Sequence, residues 1–221
     1  VVTPNMVAVT TGLSSLAPCP SPLAPFCMPI IASAALASTR RLTRFNPATA
    51  YRPENLQKLE NRYKNAVFYT DQLLEQMLSQ LQQQGLGDRL WCEQLAVSPR
   101  QAIDQVEAAI AAQDGKPVLI GSSLGGYYAT YLAEKHDLRA ILINPATYAD
   151  RTLQPWIGTH TNLYTGETFA FTGRHIEELK ALAVPTLRQP SRFWLIVETG
   201  DEVLDYREAV SRYAGARQTV I

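Results

Sequence analysis

From Asp88 onward, short β-branched runs alternate with amphipathic helical stretches, and Gly or Pro stands at many of the joins. No other feature constrains the chain as much. Strands of this kind, joined through helices, assemble as a mostly parallel sheet with helices on both faces. Residues 89–95 read as a short strand. Ser98-Pro99 starts a helix, with Ser as N-cap and Pro at N1, and Ala102, Val106, Ala109 and Ile110 give it an apolar face. Residues 117–121 form a β-branched run, 127–136 a helix, and 139–144 an apolar strand ended by Pro145. Residues 147–173 are expected to be irregular. A helix over 176–183 stops before Pro185, residues 192–199 form a strand, 203–213 a helix, and 218–221 open a last strand.

One join is chemically distinctive. Gly121-Ser122-Ser123-Leu124-Gly125-Gly126 lies between a buried strand and a helix. That is the setting of a nucleophile elbow, in which Ser123 takes a strained turn and holds its hydroxyl free above the sheet. Glycines at 121 and 125 suit such a turn, because a β-carbon there would meet the neighbouring strand or helix. The N–H of Leu124, at the helix N-terminus, is then a donor for an oxyanion formed beside Ser123. A phosphate loop fits less well, since the P-loop lysine and the spacing of a dinucleotide fingerprint are both missing. The bland alternative is a glycine-rich strand–helix turn without catalysis.

A serine needs a base to take its proton, and the base needs an acid to orient it. In this kind of fold the acid follows a later strand. Thr199-Gly200-Asp201-Glu202-Val203 follows the strand ending near Val197, so Asp201 is the natural acid, unless it only caps the next helix. Asp205, expected inside that helix, is the runner-up. The histidine should come after the acid, yet His136, His160 and His175 all precede it. Each of the three is expected to be structural or exposed.

The N-terminal part reads differently. Residues 1–39 contain no Asp, Glu, Lys or Arg, and carry Pro4, Pro18, Pro20, Pro22, Pro25 and Pro29. Prolines fix φ and remove donors, so residues 1–53 are expected to be a poorly ordered arm and connector, of which 1–39 packs little against a domain over 54–221. A signal peptide is disfavoured by the lack of a basic start, and a membrane span by the prolines. Leu56, Leu59, Tyr63, Ala66, Leu73, Met77 and Leu81 form a helical stripe, ended by Gly85 and Gly87. It suits a helix lying on a sheet better than a partner-binding coil. Lys plus Arg and Asp plus Glu both number 20, so the formal charge is zero and nothing marks a nucleic-acid or anionic-lipid surface. Cys19, Cys27 and Cys92 make neither a disulfide framework nor, with the scattered histidines, a zinc site. The expectation is a cytoplasmic protein with no metal, no cofactor, and no nucleic-acid or membrane partner.

The run GSSLGGYYATYLAEKHDLRAILINPA, the string NLYTGE and the stretch TGDEVLDYREAVSRYAGARQTVI resemble the small bacterial YqiA/YcfP-type esterases. The resemblance covers about residues 86–221 and implies an α/β-hydrolase fold. It also implies a serine esterase or thioesterase acting on small-molecule acyl esters, possibly acyl-CoA, with the nucleophile on Ser123 and the acid on Asp201. Two departures accompany it. Family members begin with a strand and a His-Gly loop that supplies a second oxyanion donor, and no His-Gly pair occurs here. Members also carry the base on a Gly-Gly-x-His-x-Phe-type loop beyond the last strand, and this sequence has no counterpart. The expectation is therefore a hydrolase domain truncated at its C-terminus, with a Ser-His-Asp triad lacking its His and little activity. The competing expectation is a non-catalytic fragment or pseudo-enzyme that binds a ligand or partner.

Overall fold

The computed structural model describes residues 7–10, 83, 90–161, 168–199, 201 and 204–221. The chain divides into two compact units, one of Val1–Leu16 with Arg89–Val220 and one of Ala17–Asp88 with Ile221. In chain order the first unit contains β1 (Val7–Thr10), β2 (Leu90–Trp91), α1 (Pro99–Ala111), β3 (Val118–Ser122), α2 (Leu124–His136) and β4 (Arg139–Ile143). There follow α3 (Ala149–Thr152), β5 (Gly158–Thr161), β6 (Thr168–Phe171), α4 (Gly173–Ala181), β7 (Phe193–Val197), α5 (Tyr206–Arg212) and β8 (Arg217–Val220).

Six strands form one sheet in the order β2-β1-β3-β4-β7-β8. From β3 to β8 it is parallel: Gly121 lies opposite Leu142, Leu142 opposite Leu195, and Leu195 opposite Gln218. β1 runs antiparallel to both of its neighbours, with Val9 opposite Leu119 on one side and Trp91 on the other. Alternate strand positions face one side. Leu119, Ala140, Leu142, Phe193, Leu195 and Val197 accordingly enter one core with Ala102, Ile103 and Val106 of α1 and Tyr128 and Leu132 of α2. Val118 and Ile196, at intervening positions, are buried as well, so both sides of the central strands are covered.

Several stretches differ from the sequence expectation. α2 begins at Leu124, three residues earlier than expected, and takes both glycines into its first turn. Every residue from Leu124 to Thr130 is buried, so packing overrides the weak helical propensity of Gly125 and Gly126. The stretch expected to be irregular contains α3 and a two-stranded hairpin of β5 and β6, with His160 opposite Phe169. These pieces are four residues each, too short for periodicity to mark them. Finally, the arm does not stay apart at Val7–Thr10, which pairs on both edges within the sheet. Residues 5–17 hold no proline, and Val7, Val9 and Thr10 are β-branched, so this stretch keeps its donors and suits a strand. The helical stripe of 56–81 and the charge-free run of 11–39 lie outside the described residues.

Candidate active site

Ser123 alone joins β3 to α2. Its φ of 51° and ψ of −120° match the first corner of a type II′ turn, where glycine is the default. Holding another residue there costs on the order of 1–3 kcal/mol, and backbone bonds over-determine the position. The Ser123 N–H donates to the Ile143 carbonyl at 3.1 Å, and the Ser123 carbonyl accepts from Gly126 at 3.0 Å, Tyr127 at 3.3 Å and Ala146 at 2.9 Å. The side chain is half-buried, and among the described residues its hydroxyl has no hydrogen-bond partner.

Two glycines permit the close approach. A β-carbon on Gly121 would lie 2.3 Å from the Gly125 carbonyl oxygen, and one on Gly126 would lie 2.7 Å from the Pro145 β-carbon. The elbow pattern assigns no role to Gly126; the need for glycine there comes from its close contact with Pro145, which follows a different strand. Leu124, the first residue of α2, has no carbonyl four residues back within the helix, so its N–H is one of the orphan donors of a helix start.

Asp201 follows β7 by four residues, at the same C-terminal edge of the parallel sheet as Ser123. Its Oδ1 accepts the Leu204 N–H at 3.0 Å. Asp205 is the N-cap of α5 and lies outside the helix proper. Its carboxylate accepts the Arg207 N–H at 3.0 Å, and the helix starts at Tyr206, three residues later than expected.

Each histidine has a local partner. His136 lies thirteen residues beyond Ser123 at the far end of α2, roughly 20 Å along the axis, and pairs with Glu107 at 2.6 Å. His160 donates Nε2–H to the Trp156 carbonyl at 2.6 Å. His175 sits at N3 of α4, where its Nδ1 accepts the Thr172 N–H at 3.1 Å in a capping box. Tyr127 is also held. Its hydroxyl donates to the Leu179 carbonyl at 2.9 Å, and burial pushes it up to about 12, so it stays neutral at physiological pH. A cavity of about 380 Å³ lies against α1 and β2, lined in part by Trp91, Gln105, Ala109 and Gln113; none of its lining residues belongs to the Ser123 turn. Among the described residues no cluster of three or more His, Cys, Asp or Glu side chains could hold a metal ion. No described helix is long and apolar enough to cross a membrane.

A mainly parallel sheet flanked by helices, turning through a strained serine into a buried helix, defines an α/β-hydrolase fold. The chain belongs to the Uncharacterised protein family UPF0227, which matches it over residues 70–221. It is similar in structure to a hydrolase candidate from Agrobacterium vitis S4, with 19% identity and a TM-score of 0.44 over 56% of this chain and 59% of that one. It is likewise similar to mouse alpha/beta hydrolase domain-containing protein 10, with 18% identity and a TM-score of 0.41 over 56% of this chain and 59% of that one. A Paleococcus ferrophilus monoacylglycerol lipase matches with 14% identity and a TM-score of 0.39, over 58% of this chain and 67% of the lipase. The chain thus spans 59% of the length of the first two.

Proposed function

We propose that this protein is a cytoplasmic serine hydrolase of small-molecule acyl esters or thioesters, acyl-CoA among them. The observation that carries the proposal is the Ser123 turn. A serine held at φ 51° and ψ −120°, half-buried at the start of a helix and with no hydroxyl partner among the described residues, carries a strain of the kind that clusters at active sites. Ser123 Oγ attacks the acyl carbonyl, the Leu124 N–H donates to the resulting oxyanion, and the leaving group departs to give an acyl-enzyme that water cleaves. Asp201 orients the imidazole that takes the Ser123 proton. The local bonds of His136, His160 and His175 support the view that none of them is that imidazole. With none of the three placed as the base, turnover of p-nitrophenyl butyrate should be near background. Loss of a triad member leaves about 10³–10⁴-fold catalysis over water in an intact serine protease, and each lost oxyanion donor costs a further ~10²–10³.

The same histidine placement favours a second reading, a non-catalytic hydrolase-fold protein that binds an ester-like ligand. One experiment separates the two. The 221-residue chain is treated with a fluorophosphonate, with and without added imidazole, and the adduct is mapped by mass spectrometry. The hydrolase reading expects an adduct on Ser123, formed faster with imidazole and lost in Ser123→Ala. An unmodified Ser123 with no ester turnover leaves only the binding reading, and hydrolysis that survives Ser123→Ala rules Ser123 out as the nucleophile. Efficient hydrolysis lost on substituting His160 or His175 would show that one of these is the base.

A further inference from the structure

Ser123 and Asp201 leave strands β3 and β7, which do not touch, because β4 lies between them. Their mutual placement is therefore transmitted through the end of β4. We propose that Asn144, the first residue after β4, is a positioning residue that fastens the start of the Asp201 loop to the Ser123 turn. The proposal rests on the reading of Ser123 as nucleophile and Asp201 as its acid.

Asn144 sits at φ 40°, in the left-handed region that Asn tolerates better than most side chains. From there its N–H donates to the Ile196 carbonyl at 2.9 Å, and its Oδ1 accepts the Glu198 N–H at 2.8 Å. Ile196 is the last β7 residue that pairs with β4 through the regular ladder, so the side chain continues the fastening beyond the point where the backbones stop pairing. The flanking residues hold the nucleophile. Ile143 accepts the Ser123 N–H, Ala146 donates to the Ser123 carbonyl, and Pro145 fills the space beside Gly126. One residue further, the buried Thr147 hydroxyl donates to Glu208 Oε2 at 3.2 Å, on the helix that follows Asp201. Five consecutive residues thus hold the Ser123 turn on one side and both flanks of the Asp201 loop, Glu198 and Glu208, on the other.

The residue type follows from three requirements. The backbone needs positive φ, which Gly, Asn and Asp accept most readily. The Glu198 N–H needs an acceptor one methylene from the main chain, which excludes Gly. The contact is partly buried, with Glu198 itself buried, and an aspartate would bring a charge there. Asn meets all three.

The test uses the full chain and a fluorophosphonate, reading the rate of Ser123 modification by mass spectrometry with and without imidazole. As the Oγ–P bond forms, fluoride leaves and imidazole takes the Oγ proton. The ratio of the two rates reports how well Asp201 orients the added base. Asn144→Gly keeps the backbone conformation and deletes the acceptor. It should abolish hydrogen-exchange protection of the Glu198 amide and reduce the imidazole enhancement about tenfold or more. Asn144→Asp should restore the protection and part of the enhancement. Asn144→Gly added to Asp201→Asn should cause no further loss. Thr147→Val, which loosens the other flank, should give a smaller drop, and it serves as the test variant should Asn144→Gly lose its cooperative melt. If Asp201→Asn removes the enhancement while Asn144→Gly and Thr147→Val retain it, the positioning role is overturned and the Ser123–Asp201 reading stands. If Ser123 is not modified, or Asp201→Asn leaves the enhancement intact, that reading falls and takes the positioning role with it.

Discussion

The Ser123 backbone separates stability from activity at a single residue. Its φ of 51° with ψ of −120° is comfortable for glycine and strained for serine. Ser123→Gly should therefore raise the thermal midpoint, by about 2–4 °C per kcal/mol of strain released in a domain of this size. Ser123→Ala keeps the β-carbon and the strain, so its midpoint should stay near that of the parent. Both should abolish fluorophosphonate labelling, and differential scanning calorimetry distinguishes them. A lower midpoint for Ser123→Gly would mean that the serine side chain stabilises the turn by contacts worth more than the strain. Gly121→Ala acts in the opposite direction. Its β-carbon would meet the Gly125 carbonyl oxygen at 2.3 Å, and backbone is the least able to yield. Overpacking of this sort costs about 1–3 kcal/mol, and the shift in α2 should reduce Ser123 labelling too.

At the scale of the element, α2 is anchored at both ends. Its N-terminal end is held by the Ser123 turn. Near its C-terminal end, Glu134 is almost fully buried and accepts hydrogen bonds from Arg188 Nε and Arg192 Nη2, each at 2.9 Å, while Arg188 also donates to the Glu134 carbonyl. The two arginines differ. The Arg188 side chain is 66% exposed, so its ion pair contributes little on its own. The Arg192 side chain is 9% exposed and pairs with both Glu134 and Asp137. Burial pushes the Glu134 carboxyl up, but the bonds and charges of Arg188 and Arg192 outweigh it and hold the group below its ordinary value of 4.5. A carboxylate lowered in the folded state stabilises the protein fully above its unfolded pKa, and that stabilisation is lost as pH falls through the folded value. Thermal melts of the parent should therefore lose stability below about pH 4.5, and Glu134→Gln should flatten that part of the profile. Glu134→Ala leaves Arg192 without its buried partner, a change that typically costs ~3–5 kcal/mol. An unchanged midpoint in Glu134→Ala would show that Asp137 alone suffices for Arg192. The N-cap of α5 gives a smaller, independent effect: Asp205→Ala should cost about 1 kcal/mol.

At the scale of the molecule, the described strands of the six-stranded sheet are parallel except for the antiparallel insertion of β1. Because β1 pairs with both β2 and β3, removing it exposes the backbone groups of β3 along the edge that precedes the Ser123 turn. Deleting residues 1–16 should therefore lower the thermal midpoint by about 5 °C or more, which is over 1 kcal/mol at this size. From the sequence alone the proline-rich arm is expected to be dispensable. A midpoint that does not move after the deletion would show that β1 contributes little to the sheet.

The sequence by itself determined the features that depend on near neighbours along the chain. Strand–helix alternation marked β3, α2, β4 and β7 within a few residues, and the glycine pattern around Ser123 marked the turn between β3 and α2. Ser98 could be read as an N-cap because its partner, the Gln101 N–H, is three residues away. Tertiary structure alone decided what depends on residues distant in sequence. Gly126 is required small because Pro145 packs on it, α2 takes in two glycines because its start is wholly buried, and Val7–Thr10 joins the sheet because two distant strands offer it edges. Asn144 is the clearest case. Its sequence signal is an Asn-Pro at the end of a strand, which reads as a stop. Its partners Ile196 and Glu198 lie more than fifty residues on, and a hydrogen bond across that separation leaves no local periodicity or spacing in the chain.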